Sequence, residues 1–307
     1  MNLLYELLSK YASIIYFQQF GHKGKIKQNR IDFKCNKTYY KFIRTFYYFG
    51  GEKMETFHLT RNEMATLLLS LRGWNTKKPL GILQEAWAKS HKKDIESGQS
   101  VTAFITTALS PIFEKLIKID DTDVGFSLNE IVALGNQIEN TSFSVTAMQN
   151  WVKRDIKEMI GSPQKGKKYS IEQAALLFIV EDLKTALDFE SIRKLLRLIV
   201  NDPADRSDDL INPVHLYVAY SSLFEELNQG NCLQLNATDT VHTIENIVKE
   251  KADKIASKFD QINNEQREAI RNAIIIATLS VHTAYVQMLA KRYVTATLFL
   301  QNLDVKP

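Results

Sequence analysis

The chain has 307 residues, 45% of them hydrophobic and 24% charged, enough for two domains or for one core with helical extensions. Six prolines and twelve glycines are too few for an all-β fold, which must turn every few residues, so the composition points to an all-α protein with long helices. The formal net charge of +4 divides unevenly: residues 1–53 carry ten Lys/Arg against Glu6, Asp32 and Glu52, and the remainder is net −3. The basic balance is therefore no sign, by itself, of nucleic-acid binding.

Residues 1–53 also hold 13 of the 31 aromatic side chains and run to Lys, Asn, Ile, Phe and Tyr, as AT-rich DNA does when read as codons. The segment ends in Gly50-Gly51-Glu52-Lys53-Met54. A purine run resembling a ribosome-binding site can encode Gly-Gly-Glu, so translation is expected to begin at Met54, with 1–53 a translated leader or a disordered arm. Peptides from 1–53 in a mass spectrum of the native protein would overturn that expectation. The opening stretch has no basic n-region and no small-residue cleavage site, so it does not read as a signal peptide.

An N-terminal group of helices is expected over 54–120. Thr60-Arg61-Asn62-Glu63 is a capping box, followed at helical spacing by Leu67, Leu68 and Leu71 and closed by Gly73. Pro79 opens a second helix through Leu83, Ala86 and Trp87 to about Ile95, and residues 97–100 form a linker. A third helix spans 101–117, with Pro111 kinking or splitting it, before a polar break at 120–123. Trp74 and Trp87 read as core or interhelix packing.

Residues 121–200 carry the organised part. Ser127-Leu128-Asn129-Glu130 is a second capping box, opening a helix with Leu128, Ile131, Val132, Gly135 and Ile138 on one face. A short turn follows at 139–142, and Ser144 caps a helix to about Met159. A basic glycine-bearing loop fills 161–168. Ser170-Ile171-Glu172-Gln173 is a third capping box opening a helix to about Ala186, and Asp188 caps another through Ile192, Leu195, Leu196 and Ile199. The acidic, proline-bearing stretch 201–209 is the clearest linker.

The C-terminal region, 210–307, is expected to be helical and to serve dimerisation or sensing. Asn212-Pro213 caps a helix to Leu227, and Ile244, Ile247, Val248, Ile255, Phe259 and Ile262 form a stripe on the next. The last helix runs from about Glu265 to Gln301. Residues 272–290 are uncharged and flanked by Arg271 and Lys291; with Ser280, His282, Thr283 and Gln287 among them, a buried core helix explains them better than a membrane span.

Metal and nucleophile chemistry finds little here. Two cysteines, Cys35 and Cys232, and six singly scattered histidines make no zinc motif and no disulfide framework, which suits a reducing cytoplasm. Asp205, Asp208 and Asp209 read as a solvated linker. No glycine-rich phosphate loop or nucleophile–base pair appears, so no enzyme, cofactor or metal is expected.

The sharp signal is the helix of 144–159. Val145, Met148, Val152, Ile156 and Met159 fall in one arc at helical spacing, with Thr146, Asn150, Lys153 and Lys157 opposite and Gln149 and Arg154 on the flanks. Amides and cations on an outward face suit the major groove: Asn and Gln can pair with adenine edges, Lys and Arg with guanine or phosphate. Lys165, Lys167, Lys168 and Tyr169 in the next loop would reach the adjacent backbone. From 144 to 169 six basic residues stand against Asp155 and Glu158, the local positive patch that phosphate neutralisation needs. The bland alternative is a helical corner whose polar face is merely solvated. Arg193, Lys194 and Arg197 extend the patch or form only an exposed face.

Residues 126–196 resemble the MerR-like winged helix-turn-helix domain. The likeness rests on Ser127 opening the first helix, the short turn, Trp151 in the second helix, Tyr169-Ser170 closing the wing, and Leu187, Glu190 and Ile192 opening the last helix. It departs at Gln149, where such proteins carry arginine, and at the wing, where paired tyrosines are reduced to Lys167, Lys168 and Tyr169. The stretch also resembles a family of Gram-positive bacteria known only as a domain of unknown function, through the run QNWVKRDIKE and then GKKYSIEQAA. What the likeness implies is a cytoplasmic regulator of transcription, a repressor, that binds double-stranded DNA as a homodimer. It would have no membrane partner, and its C-terminal bundle could hold a small-molecule effector. The alternative is a helical protein-interaction module that keeps the fold without binding DNA.

Overall fold

A computed structural model describes residues 58–92, 109–119, 124–203, 205, 207–229, 240–259 and 262–304, the side chains of 229, 240, 241 and 299–304 excepted. The expectations for 1–53, 93–108, 120–123, Cys35 and Cys232 lie outside the described residues.

Local capping fixes most of the helix starts. Helix α1 (Arg61–Leu71) begins at the expected box: Thr60 Oγ1 accepts from the Glu63 amide at 3.2 Å and the Glu63 carboxylate accepts from the Thr60 amide at 2.8 Å. Helix α2 is Pro79–Ser90, with its proline at the first helical position. Helix α3 is Pro111–Ile117, so of the two expected roles Pro111 takes the one that begins a new helix. Helix α4 (Leu128–Gly135) carries the second box, Ser127 with Glu130, and Lys115 of α3 pairs with the same glutamate. Burial alone would raise the Glu130 carboxyl; Lys115 and the Ser127 amide pull it below its ordinary value.

Helix α5 is short, Val145–Asn150, and passes into a single π-helical turn, Trp151–Asp155, then helix α6, Lys157–Ile160. Helix α7 (Ile171–Leu183) starts at the third box, Ser170 with Gln173, and α8 (Phe189–Arg197) at Asp188, whose carboxylate accepts from the Ser191 amide at 2.7 Å. Helices α9 (Pro213–Gln229), α10 (Thr240–Ala256) and α11 (Asn264–Asp304) complete the order. Between α8 and α9 the amides of Asn201 and Asp202 donate to the carboxylates of Asp209 and Asp208.

Helix α7 is the hub. Every residue of it except Glu181 is buried, and it lies against α9 and α11, while α9 also packs on α1 and α10 on α11. One hydrophobic cluster runs from Leu59 to Val281, and Phe57–Pro307 form one compact unit. At its centre Arg61 (α1) meets Asp182 (α7), with Nη2 and Oδ1 2.9 Å apart, the two side chains only 8% and 4% exposed. The Tyr220 hydroxyl of α9 donates to the other carboxylate oxygen at 2.7 Å. Burial opposes the arginine charge, and Asp182 more than restores it. Burial, reinforced by the same carboxylate, pushes both Tyr217 and Tyr220 well above the ordinary phenol value.

Trp74 is 43% exposed, so of its two expected roles it takes interhelix packing rather than core, its ring stacked on His215 of α9 and covered by the Arg72 guanidinium; Trp87 is buried. One expectation is corrected. Helix α11, 41 residues and about 60 Å long, is core only in its first half. Ile270, Ala273, Ile274, Ala277 and Val281 are buried, whereas Val286, Tyr293, Val294 and Leu298 are exposed. By length and composition Asn264–Leu298 is apolar enough to cross a membrane, and 33% of its most apolar window is buried.

Candidate nucleic-acid interface

The corner between α4 and α5 is held by local bonds. The Asn136 side chain spans it, its Oδ1 accepting from the Phe143 amide at 2.7 Å and its Nδ2 donating to the Phe143 carbonyl at 3.2 Å. Thr141 Oγ1 donates to the Gly135 carbonyl at 2.7 Å. Gly135 allows the close approach: a Cβ there would stand 2.7 Å from the Phe143 ring. Residue 59 joins from outside, its amide donating to the Gln137 carbonyl at 2.7 Å and its carbonyl accepting from the Glu139 amide at 2.8 Å.

The expected continuous helix over 144–159 is broken. The Ile156 amide bonds back five residues to the Trp151 carbonyl at 3.0 Å, and Ile156 itself leaves helical geometry (φ −134°, ψ 25°). Three contacts hold this π turn. Trp151 is buried, with its ring 6.0 Å from Phe189 and under the Lys184 ammonium at 5.2 Å. Arg193 of α8 donates from Nη1 to the Asp155 carbonyl at 2.7 Å. The extra residue re-aims the following chain, so that Ile156, Met159 and Ile160 are all buried. Met148 and Val152 are buried as expected, but Val145, at the first helical position, is 36% exposed.

Despite the break, the polar side chains face outward. Thr146, Gln149, Asn150, Lys153, Arg154 and Lys157 are all exposed. Lys153 and Lys157 have no carboxylate partner among the described residues, whereas Arg154 pairs with its neighbour Asp155 at 2.8 Å. Arg154 and Lys157 share a groove of about 450 Å³ with Glu158, Gly161 and Arg193.

The basic loop forms a minimal hairpin. Lys165 and Lys168 exchange amide–carbonyl bonds of 2.9 and 3.0 Å around Gly166, whose φ of +62° is left-handed. Phe126 and Tyr169 exchange two more at 2.8 Å, tying the hairpin to the segment before α4. Gly125 is required there, since a Cβ would lie 2.8 Å from that of Lys165. Lys165, Lys167 and Lys168 are exposed. Tyr169 departs from expectation: it is 9% exposed and part of the core, and burial raises its phenol. Its alternation with Lys168 along the hairpin turns it inward.

Sequence reasoning gave Gln173 only a capping role, but it does more. Fully buried, it donates from Nε2 to the carbonyls of Ile160 and Ser162 at 2.8 and 2.7 Å, while its Oε1 accepts from the Ser170 and Gln164 amides. This one amide fixes the end of α6 and the root of the hairpin to the start of α7. Arg193 was equally ambiguous before its bond to Asp155 was seen. Among the described residues no group of three or more His, Cys, Asp or Glu side chains could hold a metal ion.

Fold and surface together define a helical protein that presents a capped helical corner and a basic hairpin to solvent. Residues 117–220, which contain that whole surface, match the family described as "Domain of unknown function (DUF1836)". A relative, the "Uncharacterized protein YkrK" of Bacillus subtilis (strain 168), is 37% identical over 239 residues, covering 78% of this chain and 97% of its own. The chain belongs to this family, in keeping with the second of the two resemblances read from the sequence. No solved structure matches it.

Proposed function

We propose that the protein is a sequence-specific DNA-binding regulator of transcription, a cytoplasmic repressor rather than an enzyme, with a MerR-like winged helix-turn-helix as its reading unit. One observation carries this: six polar and cationic side chains, Thr146, Gln149, Asn150, Lys153, Arg154 and Lys157, stand exposed along one segment whose other side is core. In this reading α5 and the π turn enter the major groove, where the amides meet base edges. Lys165, Lys167 and Lys168 meet phosphates from the hairpin, which plays the wing. Tyr169 shapes the wing and does not touch DNA.

The regulator acts as a homodimer, as palindromic half-sites favour. The buried residues of α10 are spent on the core, which leaves the exposed half of α11, with Val286, Tyr293, Val294 and Leu298, for the second copy. That same face is what favours the second reading, an interaction module whose partner is another protein.

Genomic DNA recovered with the protein and sequenced would supply a duplex for titration. Nanomolar binding that weakens steeply with salt is expected. Replacing Lys153, Arg154 and Lys157 together by Ala should abolish it while leaving the helical circular dichroism unchanged. Full affinity in that triple variant would defeat the proposal.

A further inference from the structure

The groove beside Lys157 carries more than its expected cations. Arg193 of α8 lines it, and Arg197 of the same helix pairs with Glu158, which lines it too, each across more than thirty residues of chain. Arg197 Nη2 stands 2.7 Å from a Glu158 carboxylate oxygen, and Arg193 Nε stands 3.6 Å from the other. Arg193 is pre-aimed, since its Nη1 is committed to the Asp155 carbonyl and its side chain is only 31% exposed. Lys157 lines the same space. A carboxylate bridged between two guanidinium groups sits where the oxygens of a phosphodiester would sit, because both anions offer guanidinium the same paired acceptors.

We infer that this groove is the seat of one backbone phosphodiester of bound DNA, and that Glu158 occupies it in the free protein as an internal anion. The inference rests on the DNA-binding reading and adds Arg193 and Arg197 to the interface. Glu158 is 48% exposed and Arg197 57% exposed, and an ion pair so open to water is weak enough for an incoming phosphate to displace. The carboxylate then swings to solvent and Lys157, Arg193 and Arg197 face the phosphate together. Glu158 therefore limits affinity: the duplex must displace it before the seat is filled.

The test titrates the full chain with a duplex of about 30 base pairs over roughly 50–200 mM salt, following fluorescence anisotropy. Glu158→Gln should bind about three- to tenfold tighter than wild type. Arg197→Ala, which removes an exposed side chain with no role in the core, should lower the slope of log affinity against log salt by about one. In the double variant the gain from Glu158→Gln should shrink. If wild type binds and Glu158→Gln does not tighten it, or if Arg197→Ala leaves the slope unchanged, the seat is overturned and the DNA reading stands. A wild-type chain with no salt-dependent affinity overturns both. Inorganic phosphate at constant ionic strength is the control: it should compete with duplex for wild type and less for Arg197→Ala. Phosphate that binds the groove without weakening duplex affinity would assign the groove to a free anion and make the duplex assignment wrong.

Discussion

Helix α7 and the segment 144–160 lie side by side in the chain order and are built in opposite ways. Helix α7 is thirteen regular residues, capped at its start and buried on nearly every side. The segment before it is two short helical pieces joined by a π turn, with one side in the core and the other in water. The regular helix has a uniform environment and needs only its cap. The broken one must satisfy Trp151, Ile156, Met159 and Ile160 at once, which a single helical phase does poorly, and it takes an extra residue to do so. Regularity here marks the scaffold, and irregularity marks the surface expected to touch a partner.

The contrast can be broken from the scaffold side first. Asp182→Ala leaves Arg61 buried without its counter-charge and should cost about 3–5 kcal/mol in a urea titration. Next, Gly135→Ala drives a methyl into the Phe143 ring and should cost about 1–3 kcal/mol, read the same way. On the exposed side, Lys153→Ala, Arg154→Ala and Lys157→Ala should each change stability by less than about 0.5 kcal/mol, whatever they do to the proposed DNA binding. A loss near that of Gly135→Ala would mean the cationic side is structural. The smallest effect is expected in the corner itself. Partial desolvation, with Glu63 nearby, raises the carboxyl of Glu139, a residue exposed at the surface. Its charged form is therefore slightly disfavoured by folding and costs a little stability as pH rises, an effect that solvent screening keeps small. Glu139→Gln should slightly raise the melting temperature at neutral pH, with the gain vanishing near about pH 4 where both forms are uncharged.

What was legible in the sequence follows the same division. The three boxes at Thr60, Ser127 and Ser170, and the caps at Asp188 and Asn212, involve partners within three residues and form where expected. The outward placement of Lys153 and Lys157 followed from spacing alone. The π turn did not, because Phe189, Lys184 and Arg193 impose it from residues about thirty to forty positions away. For Arg193 and Arg197 the sequence leaves open an extension of the basic patch or a plain exposed face, because their partner Glu158 lies more than thirty positions away. For Trp74 the sequence leaves core and interhelix packing open, and it is Arg72 and His215, the latter far along the chain, that decide for packing at the surface.

The pair of amide–carbonyl bonds from residue 59 reaches further than its size suggests. It makes the corner at 136–140 borrow a partner from a stretch nearly eighty positions upstream. Excising residues 121–200 as a portable reading module would strip that partner away and leave two main-chain groups of the corner with only water to answer them. The family's surface is therefore expected to work in place, as a feature of the whole helical body, and to lose its shape when cut free.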